Sequence, residues 1–270
     1  MTFVPPVDLL NSGHETLWAN LGDWSATDEY PRAAEALALR LGNAAELGPG
    51  HRVLDAGCGA GDQLRVWVER FDVGCVTGIE KNQRLAHLAR TRVSDWGLDS
   101  RIEVGVGDAG SRGWAERANG DDGRTSIDRI LALDAAYFFG PRATFLASCH
   151  SVLRDGGLVA VTDLLLGDGA SARLARRLSP LFGIPANSLL GEAGYQESLA
   201  AAGFETVRIE DCTEAVLGGF SRWIRRGGHL TKDPTGIERA GLAMTGRTAA
   251  RLCRSGGLRY VSIVARRGRA

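Results

Sequence analysis

The stretch HRVLDAGCGAGDQLRVW, residues 51–67, decides the fold of this chain. A short apolar strand runs into three glycines and then into a predicted helix. The turn has no side chain at three positions, Gly57, Gly59 and Gly61, and glycine lets a backbone pass close to a ligand. The stretch therefore predicts a binding turn between the first strand of a sheet and the helix that follows it.

Acidic residues near the turn indicate which ligand it binds. Asp55 precedes the turn, Asp62 opens the next helix, and Glu80 ends the second predicted strand. An acidic residue at the position of Glu80 can accept hydrogen bonds from both hydroxyls of a ribose, which indicates a nucleoside. Two carboxylates beside the turn would repel a pyrophosphate but attract an ammonium group. The charge pattern therefore favours S-adenosylmethionine over a nicotinamide dinucleotide as the cofactor.

Strands and helices alternate along the chain at the spacing of βαβ units, which predicts a mostly parallel sheet with helices on both faces. The predicted strands cover residues 52–57, 75–80, 102–109, 127–135, 158–166, 205–213 and 258–267. The helix before the fifth strand, residues 142–157, is expected to stop at a glycine pair. The pattern predicts an α/β fold of the Rossmann-like type.

Two segments depart from this alternation. Residues 1–45 are predicted to form an N-terminal arm and a helix, ahead of a cofactor-binding domain at residues 46–270. Within that domain, residues 164–190 contain a helical insertion marked by glycine and proline. Segments of this kind gate active sites, so we expect this insertion and the arm to form a mobile lid over the substrate.

Composition excludes several classes of function. The 270 residues contain 32 Lys and Arg and 32 Asp and Glu, so the net charge is zero and no nucleic-acid partner is expected. The five cysteines include no CxxC pair, which predicts neither a disulfide framework nor a metal site. The sequence shows no signal-peptide pattern and no apolar run near the ~18 residues of a membrane span. We therefore expect a cytoplasmic protein, with a homodimer left open.

Several motifs resemble those of the class I S-adenosylmethionine-dependent methyltransferases. VLDAGCGAG, residues 53–61, resembles the first motif of that family, and GIE, residues 78–80, resembles the acidic end of its second strand. VGDA, residues 106–109, resembles the segment with the aspartate near the adenine site. RILALDAAYFF, residues 129–139, resembles its fourth motif, and LRDGGLVAVTDLLL, residues 153–166, resembles its glycine turn and fifth strand. The resemblance covers about residues 50–266 and implies a seven-stranded sheet with an antiparallel last strand. NLGDW at residues 20–24 resembles the arm of small-molecule members, the sugar O-methyltransferase and the sterol or tocopherol types. The implied reaction is methyl transfer to a small, natural-product or sugar-like acceptor, with O-methylation as the predicted outcome.

The resemblance also implies a set of cofactor-binding residues. In the family, the residue matching Asp108 lies where the adenine amino group binds, and the arm closes over the cofactor. The predicted set is Asp55, Gly57, Cys58, Gly59, Gly61, Glu80, Lys81, Asp108, Ala109, Leu133 and, from the arm, Trp24.

The catalytic residues depart from the family pattern. In the sugar O-methyltransferases, a histidine after the fourth strand pairs with an aspartate at the end of the fifth. This chain keeps the aspartate as Asp163 but has Tyr137, Phe138 and Phe139 at the histidine positions. Asp163 and Tyr137 are therefore the predicted catalytic residues. Both follow strands at the carboxyl edge of the sheet, so we expect them to face one pocket.

Several alternatives stay open at this point. The acceptor atom could be an amine nitrogen or a carbon, or a hydroxyl activated elsewhere. A histidine could arrive from another segment, with His14 and His229 as candidates. The acceptor could be apolar and stack on Tyr137, Phe138 and Phe139. Beyond these, a nicotinamide-dependent oxidoreductase and a non-catalytic cofactor-binding module are the competing functions.

Overall fold

The structure, a computed structural model, describes residues 10–11, 13–115, 127–227, 247–248, 251 and 254–268. Its strands are β1 (Arg52–Ala56), β2 (Cys75–Glu80), β3 (Ile102–Val106), β4 (Ile127–Ala132), β5 (Leu153–Leu166), β6 (Phe204–Asp211) and β7 (Leu258–Arg267). Its helices are α1 (Tyr30–Ala44), α2 (Asp62–Phe71), α3 (Gln83–Asp95), α4 (Arg142–Val152), α5 (Gly169–Leu178), α6 (Glu192–Ala201) and α7 (Gly219–Arg225).

The seven strands form one sheet in the order β3-β2-β1-β4-β5-β7-β6. Neighbours from β3 to β5 are parallel, whereas β7 runs antiparallel to both β5 and β6. This confirms the predicted Rossmann-like sheet with its antiparallel last strand. Because the strand order reverses between β1 and β4, the carboxyl ends of these two strands border the crevice where α/β folds bind ligands.

Each face of the sheet carries its own apolar cluster. On one face, residues of α1, α2 and α3 pack with alternate strand residues such as Val53 and Leu131. On the other face, residues of α4 and α6 pack with the intervening ones, such as Leu54 and Ile130. The strands are buried on both sides, which explains their apolar runs. Side chains of consecutive residues on a strand therefore point to opposite faces of the sheet and pack in different apolar clusters.

The predicted end of the fourth helix is wrong. Instead of stopping at the glycine pair, α4 ends at Val152, and β5 already begins at Leu153. The register explains the difference, because Leu153 pairs with Ile127 and Leu158 pairs with Arg129 across an irregularity in the ladder. Residues 154–157 are thus a bulge within β5, and Gly156 adopts φ +71° there. A glycine that signals a helix end also suits a bulge, so the sequence did not distinguish the two.

The insertion predicted at residues 164–190 is helical where β5 ends, with α5 followed by a 3₁₀ turn at Ser179–Phe182. Its return segment pairs with β5 through Leu165 and Leu190. Its mobility, and the division of the chain after residue 45, stay predictions. The sequence also predicts a helix at residues 236–253, and most of these residues, together with His229, lie outside the described residues. Among those described, no helix is long and apolar enough to cross a membrane.

Candidate active site

The glycine turn follows β1 at the reversal of strand order. Gly57, Gly59 and Gly61 have φ values of +82°, +56° and +92°, a region that side-chain-bearing residues rarely adopt. A Cβ on Gly57 would lie 2.6 Å from the Cβ of Ala135, so this glycine permits close packing of the loop after β4. A Cβ on Gly59 would meet nothing within 4 Å. The turn is therefore packed on one side and opens a backbone cradle on the other.

Glu80 stands beside this cradle at the end of β2. Its Oε2 accepts a hydrogen bond from the Gly59 amide at 3.0 Å, and its Oε1 accepts one from the Asn82 amide at 2.7 Å. Burial raises the pKa of the carboxyl, and these amide bonds oppose the rise. An oriented carboxylate touching the glycine turn is the geometry that ribose recognition requires.

Asp108 follows β3 on the next strand outward. Its Oδ2 forms a 2.5 Å ion pair with Lys81, and its Oδ1 accepts from the Gly110 amide at 2.9 Å. These partners orient a half-exposed carboxylate at the same edge of the sheet as Glu80. Ala109 beside it is buried in the core, so its backbone rather than its side chain is available to a ligand.

Asp55 is a cofactor-binding candidate that the structure encloses in the core. Its Oδ2 accepts from the Trp67 indole at 2.6 Å and its Oδ1 from Gln63 at 3.1 Å. Burial raises its pKa to about 7 despite these bonds. Asp55 thus ties β1 to α2 beneath the turn. It supports the backbone around Gly57 rather than facing the open side of the cradle.

The electrostatic argument from Asp62 is also corrected by the structure. Arg92 from α3 forms two charged contacts with this carboxylate, at 2.6 and 2.7 Å. Because Arg92 compensates its charge, Asp62 does not present a free negative charge to a ligand. The geometry that fits a nucleoside is instead the cradle at Gly59 with Glu80 beside it.

Two other predicted contacts are buried side chains. Cys58 is fully buried, and its Sγ would lie 2.9 Å from a Cβ on Gly78, so β2 needs glycine there. Leu133, after β4, is 3% exposed and packs in the same apolar cluster. Only backbone atoms of these residues could reach a ligand in this arrangement.

Trp24 belongs to an aromatic cluster on α7. Its ring centroid lies 5.4 Å from that of Trp223 and 6.5 Å from that of Phe220. Its indole Nε1 donates to the Leu21 carbonyl at 2.7 Å. Contact between Trp24 and the cofactor stays a prediction, and this packing engages the ring elsewhere.

The arm reaches the site through its backbone instead. The Leu17 amide donates to Asp62 at 3.1 Å, and the Leu21 amide donates to Asp134 at 2.6 Å. Residues 17–21 thus run from the start of α2 to the loop after β4. They cross the carboxyl edge of the sheet, where the resemblance to an arm had implied them.

Asp134 is the functional candidate that the sequence analysis missed. Its Oδ1 accepts from the Tyr137 hydroxyl at 2.6 Å and from the Tyr260 hydroxyl at 2.9 Å. Its backbone has φ +53°, a strained conformation for a residue with a side chain. Burial raises its pKa to about 6, against the hydrogen bonds that lower it. The signal available in the sequence was an acidic residue two positions after β4, beside the reversal of strand order.

Tyr137 therefore reaches the site, but Asp163 does not join it. Asp163 is fully buried, forms a 2.7 Å ion pair with Arg142, and accepts from the Tyr195 hydroxyl at 3.0 Å. Its neighbour Thr162 faces the other way and accepts a hydrogen bond from the Asp134 amide. The expectation of one shared pocket is wrong, because alternation along β5 sends Asp163 to the α4 and α6 face.

The structure also places the residues of two alternatives, the aromatic stacking surface and a histidine from the arm. Phe139 is buried and packs 5.1 Å from Phe145, whereas Phe138 is 36% exposed. The ring centroids of Tyr137 and Phe138 lie 4.6 Å apart, but Phe139 packs in the apolar cluster of the other face, so the three aromatic residues do not form one stacking surface. His14 is exposed on the arm, where its backbone amide donates to the Asn11 carbonyl at 2.9 Å.

Comparisons with known proteins agree with this geometry. Residues 53–157 match a family described as methyltransferase domain. Erythromycin 3''-O-methyltransferase of Saccharopolyspora erythraea is 26% identical over 222 residues, which cover 78% of this chain and 70% of that protein. The 27-O-demethylrifamycin SV methyltransferase of Amycolatopsis mediterranei is 29% identical over 218 residues, covering 79% and 74%.

The fold has solved counterparts as well. The crystal structure of the [4+2]-cyclase SpnF superposes with a TM-score of 0.72 at 22% identity, covering 97% of this chain and 93% of that one. The matched relatives also include enzymes named as N- and C-methyltransferases, so the comparisons leave the acceptor atom open. Together with the glycine turn and Glu80, they show an S-adenosylmethionine-dependent methyltransferase with the class I fold.

The buried carboxyl of Asp55 leads to a prediction about stability. Its folded pKa of about 7 lies above the ordinary value of 3.8, so the folded state holds a proton that the unfolded state releases. The free energy of unfolding therefore falls as pH rises from about 4 to about 7, and levels off above that. Asp55→Asn removes this titration while its amide oxygen can still accept from Trp67. We expect the melting temperature of the variant to vary less between about pH 5 and about pH 8.

Thermal denaturation followed by circular dichroism, in matched buffers across that range, measures this effect. Equal pH slopes for the wild type and Asp55→Asn would contradict the account of Asp55.

Proposed function

We propose that this enzyme transfers the methyl group of S-adenosylmethionine to a hydroxyl of a small natural-product-like acceptor. The observation that carries the proposal is Asp134, a carboxylate with a pKa of about 6 beside the loop that touches the glycine turn. A hydroxyl must lose its proton when it is methylated, so a base poised near neutral pH serves O-methylation. The names of the two antibiotic-modifying relatives support the same acceptor class.

The cradle at Gly59, with Glu80 and Asp108 along the same edge, would hold the cofactor. The cofactor supplies an electrophilic methyl group on a sulfonium. The chain must bring the acceptor oxygen to that methyl group in line and keep water away. The arm and the return of the insertion border this edge and would exclude water from it.

Asp134 would take the proton of the acceptor hydroxyl. Its Oδ2 accepts the Leu21 amide, and a carboxylate oxygen has a second lone pair for an incoming hydroxyl. Tyr137 and Tyr260 fix the other oxygen. Burial raises the pKa of both tyrosines well above 10, so they stay protonated and act as donors rather than bases. The proton would pass from the acceptor oxygen to Asp134 Oδ2 as the oxygen–methyl bond forms and the sulfur–methyl bond breaks, with the neutral thioether of S-adenosylhomocysteine as the leaving group.

The direct test is a methyl-transfer assay on matched acceptors. Purified enzyme and S-adenosylmethionine are incubated with hydroxylated macrolides and sugars, their deoxy analogues, and amine analogues at the same positions. Mass spectrometry is expected to detect a gain of one methyl group only where the hydroxyl is present. Methylation of the amines or of carbon, with the hydroxyl compounds untouched, would overturn O-methylation. Absence of transfer to all of them, despite cofactor binding by calorimetry, would favour a non-catalytic role.

Removal of either tyrosine hydroxyl is expected to shift the pH dependence of kcat/KM. The groups that act on the charge of Asp134 are the hydroxyls of Tyr137 and Tyr260, the Leu21 amide and the Asp163 carboxylate. Both hydroxyls donate to the charged form and lower its pKa, so removing either raises that pKa further. We expect kcat/KM of the wild type to fall below about pH 6 and this limb to move to higher pH in Tyr137→Phe. The shift in Tyr260→Phe should be smaller, because its hydrogen bond is longer.

The profiles of kcat/KM for both variants are compared with that of the wild type. If neither replacement shifts the fall of kcat/KM at acid pH, that fall does not reflect the protonation of Asp134.

A further inference from the structure

A polar network lies on the face of the sheet opposite Asp134. Arg142, the first residue of α4, is 2% exposed and forms the 2.7 Å ion pair with Asp163 described above. Its guanidinium carbon lies 5.3 Å from the ring centroid of Tyr195, whose hydroxyl donates to the same carboxylate. None of these groups touches the proposed base, and the methyl-transfer mechanism does not use them directly.

The network connects two segments that border the active site. The Arg142 guanidinium donates to the Ala136 carbonyl at 2.6 Å, in the turn that carries Tyr137. It also donates to the Ser188 carbonyl at 3.4 Å, near the end of the insertion. The Ser188 hydroxyl in turn donates to the Tyr137 carbonyl at 2.8 Å. The backbone on both sides of the Tyr137 side chain is therefore held by groups that depend on Arg142.

Stability alone does not explain such a network. Removing two charges from water costs more than their attraction returns in many proteins, and apolar pairs of similar volume are often as stable. Lysine would not serve equally, because only the planar guanidinium can contact a carboxylate and two carbonyls in fixed directions. What the arrangement provides is a fixed relation between β5, the Tyr137 turn and the end of the insertion.

We propose that Arg142 and Asp163 are positioning residues, which hold the Tyr137 turn against the insertion so that the Tyr137 hydroxyl meets Asp134. The proposal rests on the function proposed for Asp134. It assigns Asp163 a role through Arg142 rather than at the acceptor. Loss of the network displaces the turn and misaligns the base, which lowers the rate of methyl transfer without changing the cradle for the cofactor.

The test replaces the ion pair with an apolar pair, Arg142→Met together with Asp163→Leu. We expect a folded protein with a melting temperature near that of the wild type. We expect kcat to fall roughly 10-fold, while KM for S-adenosylmethionine is unchanged. Arg129→Met is the matched control. Arg129 is also a buried arginine that donates to a carbonyl, that of Ala45, but it lies near the amino end of β4. Its loss should lower the melting temperature and leave kcat per folded molecule intact.

Two milder variants keep the proposal testable if the double variant does not fold. Arg142→Lys retains the charge and should restore part of kcat. Ser188→Ala removes the hydroxyl that can donate to the Tyr137 and Pro185 carbonyls, both at 2.8 Å, and should lower kcat at constant KM. Wild-type kcat in folded double variant, or in both milder variants, overturns the inference. Asp134→Asn separates the two proposals. Full activity of that variant would contradict the role of Asp134 as the base. A fall in kcat on loss of Arg142 would then still show that the network positions the active site.

Discussion

Replacement of Asp134 by asparagine is expected to lower kcat by roughly 10²–10⁴-fold, the usual contribution of a general base. Asparagine has nearly the same shape, and its amide oxygen can still accept from the Tyr137 hydroxyl. It cannot accept a proton from the acceptor. Binding of S-adenosylmethionine should change little, because Asp134 contacts the tyrosines and the arm rather than the cradle. Single-turnover methyl transfer measures the first quantity and titration calorimetry the second.

Asp128→Asn is the matched control for this prediction. Asp128 lies near the amino end of β4, the strand that precedes Asp134, where it accepts from the Arg52 amide and pairs with Arg154. Its neutralisation tests whether loss of a nearby aspartate charge is by itself enough to slow the enzyme. We expect kcat of this control to match the wild type. If the Asp134→Asn variant has the same kcat as the control, Asp134 is not the general base.

Gly59→Ala is expected to weaken binding of S-adenosylmethionine by about 10- to 100-fold, or about 1.4 to 2.8 kcal/mol. Two physical effects combine at this position. The backbone has φ +56°, which costs a residue with a Cβ about 1 kcal/mol or more. The added methyl group would also stand in the open side of the cradle, where it meets no protein atom within 4 Å. The second effect acts on the ligand rather than on the fold.

Gly156→Ala separates these two effects. Gly156 also has a positive φ, +71°, and a Cβ there would likewise meet nothing within 4 Å, but it lies in the β5 bulge. The control should lose a similar amount of stability by thermal denaturation and keep its affinity for the cofactor by calorimetry. If both alanine variants bind S-adenosylmethionine equally well, the open side of Gly59 is not the binding cradle.

Much of the fold could be predicted because local patterns carry it. The strands, the alternating helices and the glycine turn follow from apolar runs and from backbone conformations that only glycine adopts readily. The position of Glu80 followed as well, since the carboxyl end of β2 must lie beside the turn after β1 in a parallel sheet. These are properties of short stretches, and neighbouring strands bring them together in a regular way.

The charges could not be assigned in the same manner, because their partners come from distant parts of the chain. Asp62 is compensated by Arg92, 30 residues away, and Asp134 is oriented in part by Tyr260, 126 residues away. No local pattern connects such pairs. The charge on Asp62 therefore favoured the right cofactor for a reason that the structure does not support.

By itself, the sequence determined the sheet, the glycine cradle and the acidic residue beside it, because periodicity and glycine conformation act over a few residues. Only the tertiary structure decided which carboxylate has the environment that we propose for the base. Asp163 and Asp134 both lie near the carboxyl ends of strands, yet strand alternation turns Asp163 toward Arg142 on the far face. Burial raises the pKa of Asp134 to about 6, while hydrogen bonds from two tyrosine hydroxyls and a backbone amide of the arm limit the rise. That environment exists only once β4, β7 and the arm have packed together.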